Sequence, residues 1–245
     1  MELTDRTWLV TGGATGIGLA LAKAVGARGN RVIICGRNQA NLDRACSEDP
    51  NLIARQCDIA DGASRGALVS WLAAEYPDLS VLVNNAGIQI PRDFRAGDAA
   101  RELDAEIATN LAAPVHLIDE LLPQLRRQPA ATIINVTSGL AFAPLAVFPV
   151  YCATKAALHS FTLSLRHQLR GSPVEVIEMA PPIVASGLRS QASAERNPAA
   201  SVAVTAEEFV ADALPLLERG DAEVLVGQSA GTRREGEALF DRMNP

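Results

Sequence analysis

Tyr151 and Lys155 are the residues of this chain whose types and spacing point most directly to chemistry. They stand four positions apart at the start of a helix-like pattern, and positions i and i+4 of a helix share one face. A phenol loses its proton near pH ~10, and an ammonium fixed beside it favours the phenolate and lowers that pKa. The pair therefore indicates a general acid and base, with an ordinary surface Tyr and Lys as the alternative.

Ser138 is the third residue of this candidate site. It follows an apolar, strand-like run at residues 132–137. We therefore expect Ser138 at the carboxyl end of a strand, where open α/β sheets bind their ligands. A hydroxyl at that point can hydrogen-bond a substrate oxygen while Tyr151 exchanges a proton with the same oxygen.

A glycine-rich turn near the N-terminus indicates a bound nucleotide. Residues 11–18 read Thr-Gly-Gly-Ala-Thr-Gly-Ile-Gly, between a strand-like run at 7–10 and a helix-like run at 19–28. Such a turn lets backbone N–H groups approach a pyrophosphate at the positive end of the helix dipole.

These motifs occur in order with Asn110 and with Asn-Asn-Ala-Gly at 84–87. The glycine spacing is TGxxxGxG, and the set resembles the short-chain dehydrogenase/reductase family from about residue 6 to residue 227. HQLR at 167–170 and EVIEMAPP at 175–182 resemble the subgroup that contains the oxidoreductase of the D-alanyl-lipoteichoic-acid operon. The resemblance implies hydride transfer between a nicotinamide cofactor and a carbonyl or alcohol substrate. A nucleotide-sensing protein without turnover is the alternative, and it would more naturally carry a broken catalytic set.

The resemblance also implies the role of each catalytic residue. Tyr151 would be the general acid and base, Lys155 would tune it and bind the nicotinamide ribose, and Ser138 would stabilise the alkoxide. The main-chain carbonyl of Asn110 would hold a water in a proton relay. Pro114 follows four residues later and has no N–H for that carbonyl, so we expect a kink there. A proline kink without catalytic meaning is the alternative.

The choice of cofactor depends on the end of the second predicted strand, Cys35-Gly36-Arg37. An acidic residue at this point holds the ribose 2′-OH of NAD, whereas arginine accommodates the 2′-phosphate of NADP. Glycine stands where the acid would be, so the sequence favours NADP(H), with NAD(H) as the alternative. Arg37 as a solvated residue at a strand end is the competing interpretation.

Further cofactor contacts are implied by the resemblance alone. Asp58 matches the position that meets the adenine amine, although it can also be read as a helix cap. Pro182 replaces the usual glycine of the loop that contacts the nicotinamide carboxamide, so we expect a different loop there. The complete set of expected cofactor contacts is Gly12, Thr15, Gly16, Ile17, Gly18, Arg37, Asp58, Ile59, Asn85, Ala86, Gly87, Tyr151, Lys155, Pro181, Val184 and Ser186.

Short apolar runs alternate with helix-like patterns along the chain, which predicts βαβ units. We expect one α/β domain over residues 1–245, a Rossmann-type, doubly wound parallel sheet flanked by helices. The predicted strands are residues 7–10, 31–35, 52–57, 79–83, 131–136, 174–179 and 223–226. The predicted helices are residues 19–28, 38–46, 63–76 and 99–125, and one from Tyr151 to Leu169.

Three segments are expected to surround the substrate: residues 88–97, 139–150 and 183–204. The third would be a lid. Arg189 and Arg196 within it could recognise a carboxylate, and the favoured alternative is that they serve surface solubility. The second is rich in apolar residues that suit a medium-sized hydrophobic or aromatic substrate, with membership of the core as an equal alternative. Those residues are Leu140, Phe142, Leu145 and Phe148.

Composition indicates the compartment and excludes some partners. The net charge of −6 argues against nucleic acid or an anionic membrane surface. No apolar run approaches the ~20 residues of a membrane span, and the N-terminus lacks the pattern of a signal peptide. We therefore expect a cytoplasmic protein without nucleic-acid or membrane partners.

The cysteines and histidines show no pattern of metal ligands. The four cysteines form no CxxC pair, and no carboxylate or cysteine stands at ligand spacing from His116, His159 or His167. We therefore expect no metal site. Small residues on the helices that begin near 99 and 151 permit the subunit pairing common in the family, a homodimer or homotetramer. The tail, residues 228–245, carries an apolar patch that would dock on the body or on a neighbouring subunit.

Overall fold

A parallel sheet forms the centre of the computed structural model, which describes residues 1–97, 99–185 and 203–244. The strands are β1 (Thr7–Thr11), β2 (Arg31–Gly36), β3 (Leu52–Gln56), β4 (Leu79–Asn84), β5 (Ala131–Val136), β6 (Val174–Ala180), β7 (Val184–Ala185), β8 (Val204–Thr205) and β9 (Glu223–Leu225). Seven of them form one sheet in the order β3-β2-β1-β4-β5-β6-β9, and β7 and β8 pair separately. The strand order reverses between β1 and β4, which is the point where such sheets bind their ligands.

Helices cover both faces of this sheet and bury its central strands on both sides. Every residue of β1, β4 and β5 is buried, as expected for strands between two helical layers. The helices are α1 (Gly16–Gly26), α2 (Gln39–Glu48), α3 (Gly62–Glu75), α4 (Leu103–Ile107), α5 (Ala113–Leu125), α6 (Pro149–Gln168), α7 (Ala206–Arg219), α8 (Gln228–Glu235) and α9 (Phe240–Met243). The predicted doubly wound α/β fold is confirmed.

The two faces of the sheet carry separate hydrophobic clusters. Successive side chains of a strand point to opposite faces, so Trp8 and Val10 belong to one cluster and Leu9 to the other. Residues of α1, α2 and α7 belong to the first cluster, and residues of α3, α5 and α6 belong to the second. None of the described helices has the length and apolar character that crossing a membrane requires.

The prediction of one continuous helix over residues 99–125 was wrong. The helix begins at Leu103, and a π-helical turn, Ala108–Ala112, separates α4 from α5. Pro114 has no N–H for the carbonyl of Asn110, and the N–H of Ala113 bonds to the carbonyl of Ala108 instead. The expected break at Asn110 is therefore present as a π-helical turn, a form that is frequent at functional sites.

Candidate active site

A cavity of about 350 Å³ opens at the carboxyl ends of the central strands. It brings together most of the residues that the sequence singled out. Those that line it are Gly12, Thr15, Gly16, Ile17, Arg37, Asp58, Ile59, Asn85, Ala86, Gly87, Ser138, Leu140, Tyr151, Lys155, Pro181 and Val184. Gly18 and Asn110 lie outside the lining, and Ser186 lies outside the described residues.

The start of α1 is suited to an anion. Its N-cap, Thr15, makes no side-chain capping bond, and the first turn holds no acidic residue, so the N–H groups of that turn are left for a ligand. A Cβ on Gly18 would lie 2.5 Å from both Asn85 Nδ2 and Gly12 O. Gly18 thus lets the helix approach the loop after β4, and the donors and close packing fit a dinucleotide pyrophosphate.

Thr11 fixes the loop that forms the floor of the cavity, a role that the sequence analysis missed. Its Oγ1 accepts hydrogen bonds from the backbone N–H groups of Asn85 at 3.0 Å and Ala86 at 3.1 Å. The side chain of Asn85 donates in return to the carbonyl of Thr11 at 2.9 Å. The loop after β4 is therefore tied to the end of β1.

Arg37 is exposed at the end of β2 and lines the cavity. Gln56 Nε2 donates to its carbonyl at 2.9 Å, and no carboxylate of the described residues forms an ion pair with its guanidinium. The arrangement suits a phosphate.

Asp58 also lines the cavity but does not cap α3, because Asp61 accepts the capping bond from Ser64 N. The helix-cap interpretation of Asp58 was therefore wrong.

Lys155 lies within the protein beneath Tyr151. Its Nζ donates to the carbonyl of Val136 at 2.7 Å and lies 5.8 Å from the centroid of the Tyr151 ring. Both side chains are buried and line the cavity. Burial lowers the pKa of Lys155 from 10.5 to about 8, because the ammonium loses its hydration.

The buried ammonium predicts a pH dependence of stability. The unfolded chain keeps this proton to about pH 10.5, while the folded chain releases it near 8, so stability rises with pH between these values. Relative to Lys155→Met, wild type should gain up to about 3 kcal/mol from pH ~7 to pH ~10 in urea unfolding of the cofactor-free protein. Lys23→Met, which removes a half-buried lysine paired with Glu48 at the surface, should show no such trend. A pH-independent difference would contradict the lowered pKa.

Ser138 follows β5, with its hydroxyl at the edge of the cavity. Its Oγ accepts a hydrogen bond from Leu140 N at 3.1 Å, and Gly139 N donates to Pro181 O at 2.9 Å. The turn after Ser138 is therefore held from two sides. The hydroxyl proton remains available to donate to a ligand oxygen.

Asn110 positions backbone at the cavity without lining it. It is fully buried in the π-helical turn. Its Oδ1 accepts from Ile88 N at 2.8 Å, and its Nδ2 donates to Ile88 O at 2.8 Å and to Thr154 Oγ1 at 3.2 Å. Asn110 thus ties the loop after β4 to helix α6, which carries Tyr151.

A family model described as "short chain dehydrogenase" matches residues 6–197. The chain belongs to the short-chain dehydrogenase family. It is therefore an NAD(P)-dependent oxidoreductase by class, and the predicted family is confirmed.

Individual proteins show the same similarity. The chain is 51% identical over 249 residues, 100% of its length and 98% of the relative's, to the "uncharacterized oxidoreductase DltE" of Bacillus subtilis (strain 168). It is 32% identical over 177 residues, 72% of this chain and 71% of the relative, to the "NADP-dependent 3-hydroxy acid dehydrogenase YdfG" of Shigella flexneri. A short-chain dehydrogenase/reductase from Burkholderia phymatum, solved with NAD, has a TM-score of 0.86 at 19% identity and covers 100% of this chain and 97% of its own.

A buried ion pair in this short-chain dehydrogenase escaped the sequence analysis. Arg92 Nη2 donates to Glu106 Oε2 at 2.6 Å, and the two side chains are 2% and 0% exposed. Arg92 also donates to the carbonyls of Ala99 and Arg101, and its own N–H bonds to Val147 O. Glu106 also accepts a hydrogen bond from Ile90 N at 3.4 Å, so Glu106 and Asn110 together hold the segment after β4 at Ile88, Ile90 and Arg92.

Loss of one partner of this pair should be costly, because a buried charge would remain uncompensated. We expect Glu106→Ala to lower the free energy of unfolding by about 3–5 kcal/mol in urea titration. Arg95→Ala breaks a neighbouring pair with Asp93 in which the arginine side chain is 92% exposed, and it should leave stability nearly unchanged. Equal effects of the two variants would contradict the importance of the buried pair.

His159 has a carboxylate partner that its spacing in the sequence did not reveal. Its Nδ1 lies 2.7 Å from Glu178 Oε2, and Thr137 Oγ1 donates to Glu178 Oε1 at 2.6 Å. Glu178 and Glu223 come from neighbouring strands, β6 and β9, which is why sequence spacing missed them. Ligand atoms of His159, Glu178 and Glu223 lie within 4.8 Å of one another. Glu178 accepts a hydrogen bond from Thr137, and Glu223 accepts hydrogen bonds from Arg233.

Of the four residues expected around the substrate, Leu140 lines the cavity and the others do not. Phe148 is fully buried, and Leu145 packs with it against Tyr151 and Cys152. Phe142 makes an edge-to-face contact with His159 and lies under Arg233. The core interpretation therefore holds for Leu145 and Phe148, because the segment folds back on α6. Phe142 is half-buried and belongs neither to the cavity lining nor to this cluster. Arg189 and Arg196, in the expected lid, lie outside the described residues.

Residues from other segments line the cavity in place of Phe142, Leu145 and Phe148. Gln89 and Ile183 line the cavity, as expected of their segments. The tail, residues 228–244, also contributes to the lining, and Leu239 within it is buried. It therefore docks on the body of its own chain. Its lining residues are Gln228, Ser229, Thr232 and Met243.

Proposed function

We propose that this short-chain dehydrogenase reduces a ketone or aldehyde with NADPH, or oxidises the corresponding secondary alcohol in reverse. The observation that carries the proposal is the meeting of Tyr151, Lys155 and Ser138 in the cavity that the glycine turn and Arg37 also line. A proton donor, a buried cation and a second hydroxyl at one point suit the reduction of a polarised C=O bond.

Each side chain has a distinct task in this mechanism. The Tyr151 phenol gives its proton to the carbonyl oxygen, and the Ser138 hydroxyl donates a hydrogen bond to the same oxygen. Lys155 stabilises the phenolate that Tyr151 becomes when it gives up its proton. Asn110 acts by holding the backbone of Ile88 at the cavity. A bound nicotinamide supplies the hydride in reduction and accepts it in oxidation.

The preference for NADPH rests on the end of β2. Gly36 and Arg37 line the cavity there, and a Cβ on Gly36 would meet nothing within 4 Å. The space leaves room for a 2′-phosphate beside the guanidinium, whereas an acidic residue would repel it. The relatives named YdfG are described as NADP-dependent, which agrees with this choice.

The substrate is best matched by a medium-sized hydrophobic or aromatic carbonyl compound. Leu140, Ile183 and Met243 provide apolar surface in the cavity, and Gln89 provides an amide.

The proposed assembly is a homodimer or homotetramer. Two apolar residues are exposed on α4 and α6, Ile107 at 39% and Leu163 at 41%, and they suit a contact between subunits.

Turnover with purified protein tests the proposal. Oxidation of NADPH and of NADH would be followed by absorbance across aryl ketones, keto esters and aldehydes. We expect turnover with NADPH well above that with NADH. Turnover that favours NADH would reverse the choice of cofactor, and binding of NADPH without turnover of any compound would contradict the proposed reaction.

A further inference from the structure

The chain after β9 forms a docked arm over the segment that follows Ser138. Asn244 anchors this arm: its Oδ1 accepts from Ala146 N at 2.6 Å, and its Nδ2 donates to Pro144 O at 3.1 Å and to Phe240 O at 2.8 Å. Leu239 is buried at 5% exposure. The anchors hold the last turn of the chain against the wall of the cavity.

Met243 lies next to Asn244 and is the apolar residue of this arm that lines the cavity. It packs against the cluster formed by Leu145, Phe148, Tyr151 and Cys152. It also lines the cavity, as Leu140 does. One unbranched side chain thus touches both the group that contains the catalytic tyrosine and the space left for a ligand.

This part of the wall lies beyond the region that defines the family, because the family model ends at residue 197. Ser138, Tyr151 and Lys155 lie inside the matched region, whereas Met243 and its anchor Asn244 lie outside it. Groups common to the family can perform the reaction, while a residue outside that region can select the molecule that undergoes it.

We propose that Met243 is a specificity-determining residue that limits the size of the apolar group next to the substrate carbonyl. The inference rests on the proposed reduction of a carbonyl compound. An apolar substituent lies between the Met243 thioether and Leu140, while the oxygen faces Tyr151 and Ser138. Methionine fills irregular apolar space and contributes no hydrogen-bond donor, so the contact selects by size and not by polarity.

The experiment compares Met243→Ala with Phe240→Ala, a truncation in the same arm at a residue that is 41% exposed and does not line the cavity. Substrates are phenyl ketones whose second substituent grows from methyl through isopropyl to tert-butyl. For Met243→Ala, we expect the ratio of kcat/KM for the largest to that for the smallest ketone to rise about tenfold or more. Phe240→Ala should keep the wild-type ratio and a similar Tm. An unchanged ratio in Met243→Ala, or equal changes in both variants, overturns the inference.

Binding separates this inference from the proposed reaction. Calorimetry measures the Kd of each ketone for the NADPH complex of Tyr151→Phe, with and without Met243→Ala. If wild type reduces none of the ketones but Met243→Ala still shifts binding about tenfold toward the larger ones, the reaction fails and the role of Met243 stands. If no ketone binds to either protein, or the preference does not shift, the role of Met243 is refuted.

Discussion

Replacing Tyr151 with Phe should lower kcat by a factor of about 10²–10⁴ while leaving the Kd for NADPH within about twofold. The change removes one oxygen and keeps the ring, which is packed with Leu145, Phe148 and Cys152 in a buried cluster. The shape of the wall is therefore preserved, and the proposed proton donor is lost. Lys155 keeps its hydrogen bond to Val136 O, so the buried cation stays in place.

The measurement combines steady-state kinetics with fluorescence titration of NADPH. Tyr76→Phe is the matched control, because Tyr76 contacts Trp71 edge to face with 4.9 Å between centroids and does not line the cavity. It should retain wild-type kcat. Activity of Tyr151→Phe within a few-fold of wild type would show that another group transfers the proton.

Replacing Arg37 with Asp should reverse the preference for cofactor. A charge-assisted hydrogen bond contributes about 1.5–3 kcal/mol, and a carboxylate at the same place would repel the 2′-phosphate as well. We therefore expect the ratio of kcat/KM for NADPH to that for NADH to fall by about 10²-fold or more. The new carboxylate can accept a hydrogen bond from the ribose 2′-OH of NADH.

Arg44→Asp is the control for this change of charge. Arg44 belongs to α2, is exposed and bonds to Asn41, and it does not line the cavity. Its ratio of NADPH to NADH should stay close to that of wild type. Equal responses of both cofactors to Arg37→Asp would contradict a phosphate contact at Arg37, because general damage affects the two cofactors alike.

The sheet was predictable because its strands are buried on both faces and read as short apolar runs. The predicted strand at residues 131–136 matches β5 at both ends, and Tyr151 and Lys155 share a face because the helical period requires it. Local chemistry also predicted the irregular turn at Asn110, since Pro114 cannot donate to its carbonyl.

What sequence reasoning missed depends on contacts between distant residues. Glu106 pairs with Arg92 across a loop. Glu178 of strand β6 contacts His159 of helix α6. Phe148 is apolar like a pocket residue, yet it lies in the core. Met243 lines the cavity from the far end of the chain. The neighbouring hydrogen bond between Ala146 and Asn244 joins residues 98 positions apart. Apolar character alone cannot distinguish such places, because packing decides which apolar residue faces a ligand.

The central claim is that this chain moves hydride between nicotinamide and a carbonyl carbon with Tyr151 as the proton donor. The most direct test supplies NADPH carrying deuterium at either face of C4, together with the best ketone of the panel, and analyses the product by mass spectrometry. We predict that one of the two labelled cofactors delivers a single deuterium to the carbinol carbon, and that Tyr151→Phe delivers almost none in the same time. Consumption of NADPH with no label on the product carbon, from either face, would contradict the account.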